Sequence, residues 1–75
     1  MIYYSMTIDW SYNKNLDTYL FGEQSRGGGV FKDNNSWYGN SVVFDDIIMF
    51  GPYPTIEEAK KAVENDFTTR IARLT

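Results

Sequence analysis

The sequence predicts an α+β domain in which an antiparallel β-sheet of three to four strands, a meander, is packed by one C-terminal amphipathic α-helix. Three observations predict it. Met6-Thr7-Ile8-Asp9-Trp10-Ser11-Tyr12 alternates apolar and polar residues, the period of a half-buried strand. Turn-forming clusters then recur at Asn13-Lys14-Asn15, Gly22 to Gly29 and Asp33-Asn34-Asn35-Ser36. From Thr55 onward the period lengthens, with Ile56, Ala59, Val63, Phe67, Ile71 and Leu74 recurring every three or four residues. One helix cannot bury such a stripe alone, so it must lie across the sheet made by the residues before it.

Each element follows from its residues. Met6, Ile8, Trp10 and Tyr12 share one face of the first strand, and the asparagines after it tolerate the left-handed backbone of a turn. Leu16 to Phe21 is the return strand of a hairpin. Gly22 to Gly29, with its three consecutive glycines, reads as a flexible loop. Val30-Phe31-Lys32 is a short strand, and Trp37 to Phe44 a longer one with a bulge or kink expected at Gly39-Asn40. Asp45-Asp46 marks a turn or a bulge, and Ile47-Ile48-Met49-Phe50 is a final apolar strand segment. The strands thus occupy about residues 2–50 and the helix about 55–74, in a single domain over 1–75.

The helix start is the sharpest local signal. Pro52 and Pro54 hold the backbone extended, Thr55 is an N-cap, and Glu58 three residues on completes a capping box. Glu57 and Glu58 sit at the positive end of the helix dipole, Arg70 and Arg73 near the negative end. Glu57 with Lys61, and Asp66 with Arg70, are i,i+4 pairs.

Composition narrows the functional classes. The chain has 75 residues and no cysteine, so stability comes from packing, a partner or self-association. Six Tyr, five Phe and two Trp are too many rings for so small a core, which points to aromatic residues on a binding surface. The net charge is −3, and the strand half carries Asp9, Asp17, Glu23, Asp33, Asp45 and Asp46 against only Lys14, Arg26 and Lys32. No basic stripe forms, which disfavours direct nucleic-acid binding, whereas a basic groove would attract this half. No segment has the composition of a membrane span or signal peptide, so the expected location is cytoplasmic.

Several chemistries lack their residues. With neither histidine nor cysteine, the chain has no ready general base near neutral pH, thiol nucleophile or zinc ligand set. Asp45 and Asp46 are adjacent, so as a strand pair they would face opposite ways and not act as a catalytic couple. Arg26-Gly27-Gly28-Gly29 precedes a strand, not the helix a phosphate loop requires, though Arg26 could reach toward a partner. Asp33-Asn34-Asn35 and Asn13 to Asp17 lack the further acids and distal glutamate of a calcium loop. No enzyme activity, cofactor or metal is expected. Trp37 and Tyr38, being adjacent, are expected to divide, one ring to the core and the other to a protein contact.

Trp10, Tyr19-Leu20-Phe21-Gly22, Trp37 and the run from Gly51-Pro52-Tyr53-Pro54-Thr55 to Glu64 resemble the layout of many short phage and prophage proteins. The sheet-plus-helix plan also resembles double-stranded-RNA-binding domains, but the basic helix start of those domains is Glu57-Glu58 here. By analogy with small acidic phage inhibitors, the anti-CRISPR proteins among them, the first resemblance implies a stoichiometric inhibitor of a host defence complex. The favoured target is a CRISPR–Cas effector, blocked at a basic nucleic-acid-binding surface. In that reading Asp9, Asp17, Asp33, Asp45 and Asp46 meet the target's cations, Tyr3, Tyr4, Trp37 and Tyr38 anchor the contact, and Arg26 reaches from its loop. Two alternatives stand beside it. One is a nucleic-acid-binding module using Lys14, Arg26 and Lys32 with Phe31 and Trp37; the other is a structural domain that self-associates, as a homodimer or larger assembly, through an exposed strand edge.

Overall fold

The computed structural model describes residues 8–23 and 25–74. Strands β1 (Ser11–Asn13), β2 (Thr18–Gly22), β3 (Arg26–Asp33), β4 (Ser36–Val43) and β5 (Asp46–Tyr53) precede one helix, α1 (Ile56–Arg73). The strands lie side by side in chain order in a single antiparallel sheet. The α+β class and the C-terminal helix match the sequence prediction, but the sheet has five strands rather than three to four.

The fifth strand exists because the chain reverses fully between Val43 and Asp46. Phe44 takes φ 55°, which turns the backbone in two residues. Asp45 therefore lies in a tight turn and Asp46 opens β5, instead of the two forming a bulge in one long strand. The β3–β4 connection is the hairpin expected: Asn34 and Asn35, at φ 50° and 66°, sit between the paired Asp33 and Ser36. The first hairpin is displaced from expectation. Asn13 belongs to β1 and its side chain accepts from the Leu16 N–H at 3.0 Å, so Leu16 lies in the turn and the return strand starts at Thr18. Of the expected first strand, Met6 and Thr7 lie outside the described residues, and Ile8, Asp9 and Trp10 precede β1 instead of belonging to it.

The glycine run is a strand, not a loop. Gly27, Gly28 and Gly29 pair with β2 on one side and β4 on the other, and all three are buried. Helix packing explains the glycine at position 28 and another on β4 at position 39. A Cβ at Gly28 would lie 2.7 Å from Cγ1 of Val63, and one at Gly39 would lie 2.5 Å from its Cγ2. Val63 fills the space both glycines leave, and its side chain is fully buried. Gly39-Asn40 is regular strand for the same reason. The irregularity falls on β5, where Gly51 and Pro52 intervene between the pairs Trp37–Tyr53 and Gly39–Phe50.

Phe21, Val30, Val43, Ala59, Val63 and Phe67 form the core, with Ile8, Trp10, Tyr19, Trp37, Phe50, Tyr53, Ile56 and Ile71 packed around it. The ring of Phe21 is met edge-on by Trp10 at 4.6 Å and by Phe67 at 5.0 Å between centroids. Burying each such side chain stabilises the fold by about 1.5–3 kcal/mol. Thr55 caps α1 by accepting the Glu58 N–H at 3.2 Å, while its hydroxyl donates to the Glu58 carboxylate. Of the predicted stripe only Leu74, the C-cap, lies exposed beyond the core.

Candidate protein-binding surface

The sheet has one covered and one open face, and pairing assigns each residue to its face because cross-strand partners point the same way. Gly28 and Gly39 face α1, so Tyr19, Phe21, Val30, Trp37, Ser41 and Val43 do too. The rows on the other side are Leu20–Gly29–Asn40–Met49, Gly27–Val42–Ile47 and Phe31–Tyr38. The large side chains of the open face are thus Leu20, Phe31, Tyr38, Val42, Ile47 and Met49, and no described element covers them. The only charged residue that β2 to β5 place on this face is Asp33, at its margin.

Two features shape this surface. Phe31 and Tyr38 are direct cross-strand partners, and their rings stack at 5.7 Å with 21° between planes. Each ring shields the other, so both stay half-buried without a covering layer. Beside them, β3 has no side chains at Gly27 and Gly29, which leaves a shallow groove walled by Leu20, Asn40 and Val42. Exposure peaks at the β5 margin, where Ile47 is 63% and Met49 58% exposed.

The predicted site residues do not converge on one patch. Trp37 packs against the core with Lys32 over its ring at 6.0 Å, whereas Tyr38 lies on the open face; the pair divides between core and surface as expected of adjacent strand residues. The aspartates separate to opposite ends of the sheet. Asp17 and Asp33 occupy the end formed by the β1–β2 and β3–β4 turns. Asp45 and Asp46 lie at the other end, with Arg26 at the start of β3 and its guanidinium 5.9 Å from the ring centre of the exposed Phe44. Asp9 belongs to that second end as well. With Glu23 and Arg26 it rims a cleft of about 360 Å³ whose walls are Ile8, Phe21, Phe67 and Ile71. An eight-residue strand at about 3.4 Å per residue sets the two acidic groups roughly 25 Å apart. Tyr3 and Tyr4 lie outside the described residues.

The residues of the nucleic-acid alternative disperse too. Arg26 and Lys32 sit toward opposite ends of β3, and Phe31 and Trp37 face opposite sides of the sheet. Lys60, on α1, lies over Tyr19 at 5.0 Å and Trp10 at 5.5 Å. Three cations are therefore engaged with rings of this same chain.

Sequence reading did not single out Leu20, Val42, Ile47 and Met49 as surface residues. The signal was present in Ile47-Ile48-Met49-Phe50, an unbroken apolar run of the kind that belongs to a strand covered on both faces, here placed at a sheet edge. The role of Arg70 was also missed. Its guanidinium donates to the Ser41 carbonyl at 2.7 Å, the Ser41 hydroxyl at 3.0 Å and the Asp46 carbonyl at 3.3 Å, and it pairs with Asp66 at 2.8 Å. Ser41 is wholly buried, so this arginine supplies the partner that its hydroxyl needs and ties the last turns of α1 to β4 and β5.

No helix among the described residues is long and apolar enough to cross a membrane. No family model matches the chain, and no curated protein or solved structure shows significant similarity to it.

Proposed function

We propose that this chain is a non-catalytic protein-binding domain that acts by stoichiometric contact, and that the open face of its sheet is the binding surface. The observation that carries the proposal is the composition of that face: Leu20, Phe31, Tyr38, Val42, Ile47 and Met49 surround Asn40 and the Gly27–Gly29 groove, and the described strands place a charge only at the margin. Apolar surface rimmed by polar residues marks protein contacts, and Tyr, Phe and Met are enriched at their centres. Among the described residues, strands β2 to β5 place no Lys or Arg on that face to hold phosphates, which favours this reading over the nucleic-acid alternative.

The target class is a host defence complex, in the manner of the phage-encoded inhibitors that the sequence layout resembles, with a CRISPR–Cas effector favoured. Asp45 and Asp46 at one end of the face, and Asp17 and Asp33 at the other, would flank the apolar contact and meet cations of a nucleic-acid groove. The test is inhibition of target cleavage by purified effector complexes, with the chain in molar excess. The wild type slows cleavage, Tyr38→Asp abolishes the effect, and Asp45→Lys with Asp46→Lys weakens it most at low salt. Unchanged cleavage across the effector types would sink the target class. Inhibition that survives Tyr38→Asp would sink the open face as the surface.

A further inference from the structure

The two edges of the sheet are built differently. β1 is three residues long, Ser-Tyr-Asn, and such short polar strands are how proteins keep an edge from pairing. β5 is eight residues long and runs Asp-Ile-Ile-Met-Phe-Gly-Pro-Tyr, with Ile47, Ile48 and Met49 exposed. Its apolar residues face both sides of the sheet: Ile47 and Met49 lie on the open face, while Ile48, the partner of Ser41, lies on the covered one.

The backbone of β5 is unpaired on its outer side. Val43 and Asp46 flank a two-residue connection, so they form a hydrogen-bonded pair, and such pairs alternate along an antiparallel ladder. Ile48 and Phe50 therefore bond inward to Ser41 and Gly39. The N–H and C=O groups of Ile47 and Met49 point away from β4, where no described strand lies.

We propose that this edge pairs with the β5 edge of a second copy, antiparallel across a two-fold axis at Ile48. Ile47 then exchanges hydrogen bonds with the second copy's Met49, and Met49 with the second copy's Ile47. The two Ile48 side chains meet at the axis, and the open faces join into one ten-stranded apolar surface. Charge placement selects the second copy and the direction. β5 is charged only at Asp46, preceded by Asp45, and is uncharged from Ile47 to Tyr53. In the antiparallel register each Asp46 lies opposite Phe50, and the two Asp46 residues stand roughly 14 Å apart along the strands at 3.4 Å per residue. That exceeds the screening length of about 8 Å at physiological salt. Parallel pairing would instead set like charges on neighbouring strands, about 5 Å apart. An isologous pair needs nothing beyond the chain itself, and it places the apolar run Ile47 to Phe50 in the middle of a sheet, the setting its composition fits.

Sedimentation equilibrium from about 1 to about 300 µM, spanning micromolar pairing, tests this. The wild-type mass rises from 8.7 kDa toward twice that value. Two variants stay monomeric with a wild-type circular dichroism spectrum. Met49→Pro removes an outward N–H, and a proline facing out from an edge strand is compatible with the sheet. Ile48→Lys sets two cations against each other at the axis. Amide exchange at Ile47 and Met49 slows as wild-type concentration rises; this reading stands even if a variant fails to fold. Monomeric wild type throughout the range, or outward amides that exchange fast at high concentration, overturns the proposal. So does a dimer that persists in Ile48→Lys but is lost in Tyr38→Ser, which would mean face-to-face packing. Effector inhibition by the monomeric Ile48→Lys variant is read separately, so failure of the dimer and failure of the proposed target are distinguishable.

Discussion

On the covered face of β3 and β4, Gly28 and Gly39 stand where the helix comes so near that Val63 occupies the space of both missing side chains. On the open face of the same two strands stand Phe31 and Tyr38, large rings with only each other for cover. At these four positions the two faces use residue size in opposite ways. Where the chain must close on itself it uses small residues to bring backbone layers together. Where it needs no closure it keeps large apolar side chains at the surface. A sheet selected for stability alone would carry polar residues there, as antiparallel sheets with one wet face do. The difference teaches that the covered face sets the fold, while the open face, free of that task, is the surface proposed for recognition.

Substitutions on the covered face should have the largest effects. Phe67→Asp removes a core ring and places a carboxylate against Phe21, at a cost of several kcal/mol, comparable to the whole stability of a domain this size. The expected outcome is loss of the cooperative thermal transition followed by circular dichroism. Gly39→Ala is the finer probe. Its Cβ would meet Cγ2 of Val63 at 2.5 Å, and overpacking of this kind costs about 1–3 kcal/mol. Pairing it with Val63→Ala should recover part of that loss in urea titration. If the double variant is no more stable than Gly39→Ala alone, the contact is not the reason for the glycine.

The open face gives the contrasting result. Tyr38→Ser removes the stacked ring, and an aromatic pair of this kind contributes about 0.5–1.5 kcal/mol beyond its area. The urea midpoint should fall only slightly, whereas inhibition of the target should be lost. A drop in stability as large as that of Gly39→Ala would make the ring pair part of the fold rather than a recognition surface. Thr55→Ala is smaller in scope: removing the cap of α1 costs about 1 kcal/mol and should leave target binding intact.

The same contrast explains what was legible in the sequence. The helix was readable nearly to the residue because its determinants are local: Thr55, Glu58 and the stripe from Ile56 to Ile71 lie within one element. The hairpin at Asn34-Asn35 was readable for the same reason. The glycine strand was not, because what makes Gly28 and Gly39 strand residues is Val63, 35 and 24 positions further along the chain. The final segment Ile47 to Phe50 was readable, but whether a turn or a bulge preceded it was not, because Phe44, a residue type that seldom takes positive φ, makes the reversal. The proposed aspartate patch rested on composition. Composition says nothing of where strands begin and end, and that is what sends Asp17 and Asp33 to one end and Asp45 and Asp46 to the other.

The smallest effect belongs to the polar edge and sharpens its contrast with β5. Tyr12 donates its hydroxyl proton to Oδ1 of Asp17, next to Tyr19, whose ring lies 5.0 Å away. That hydrogen bond, with lesser help from partial burial and the nearby carboxylate charge, raises the Tyr12 phenol above its usual value of 10.0. The folded state therefore holds this proton more tightly than the unfolded chain. The contribution is fully present below pH 10 and is lost as pH climbs from there through the raised value, because the unfolded chain ionises first. Ultraviolet titration of the wild type and of Asp17→Asn should differ by one phenol, Tyr12, which ionises at higher pH in the wild type. The ring is half-exposed and solvent screens the interaction, so the thermal midpoint at neutral pH should barely move in that variant. A large neutral-pH destabilisation would mean that the Tyr12–Asp17 contact holds the β1 edge in place. The short polar edge would then depend on a side-chain clasp, not on its lack of apolar surface, to stay monomeric.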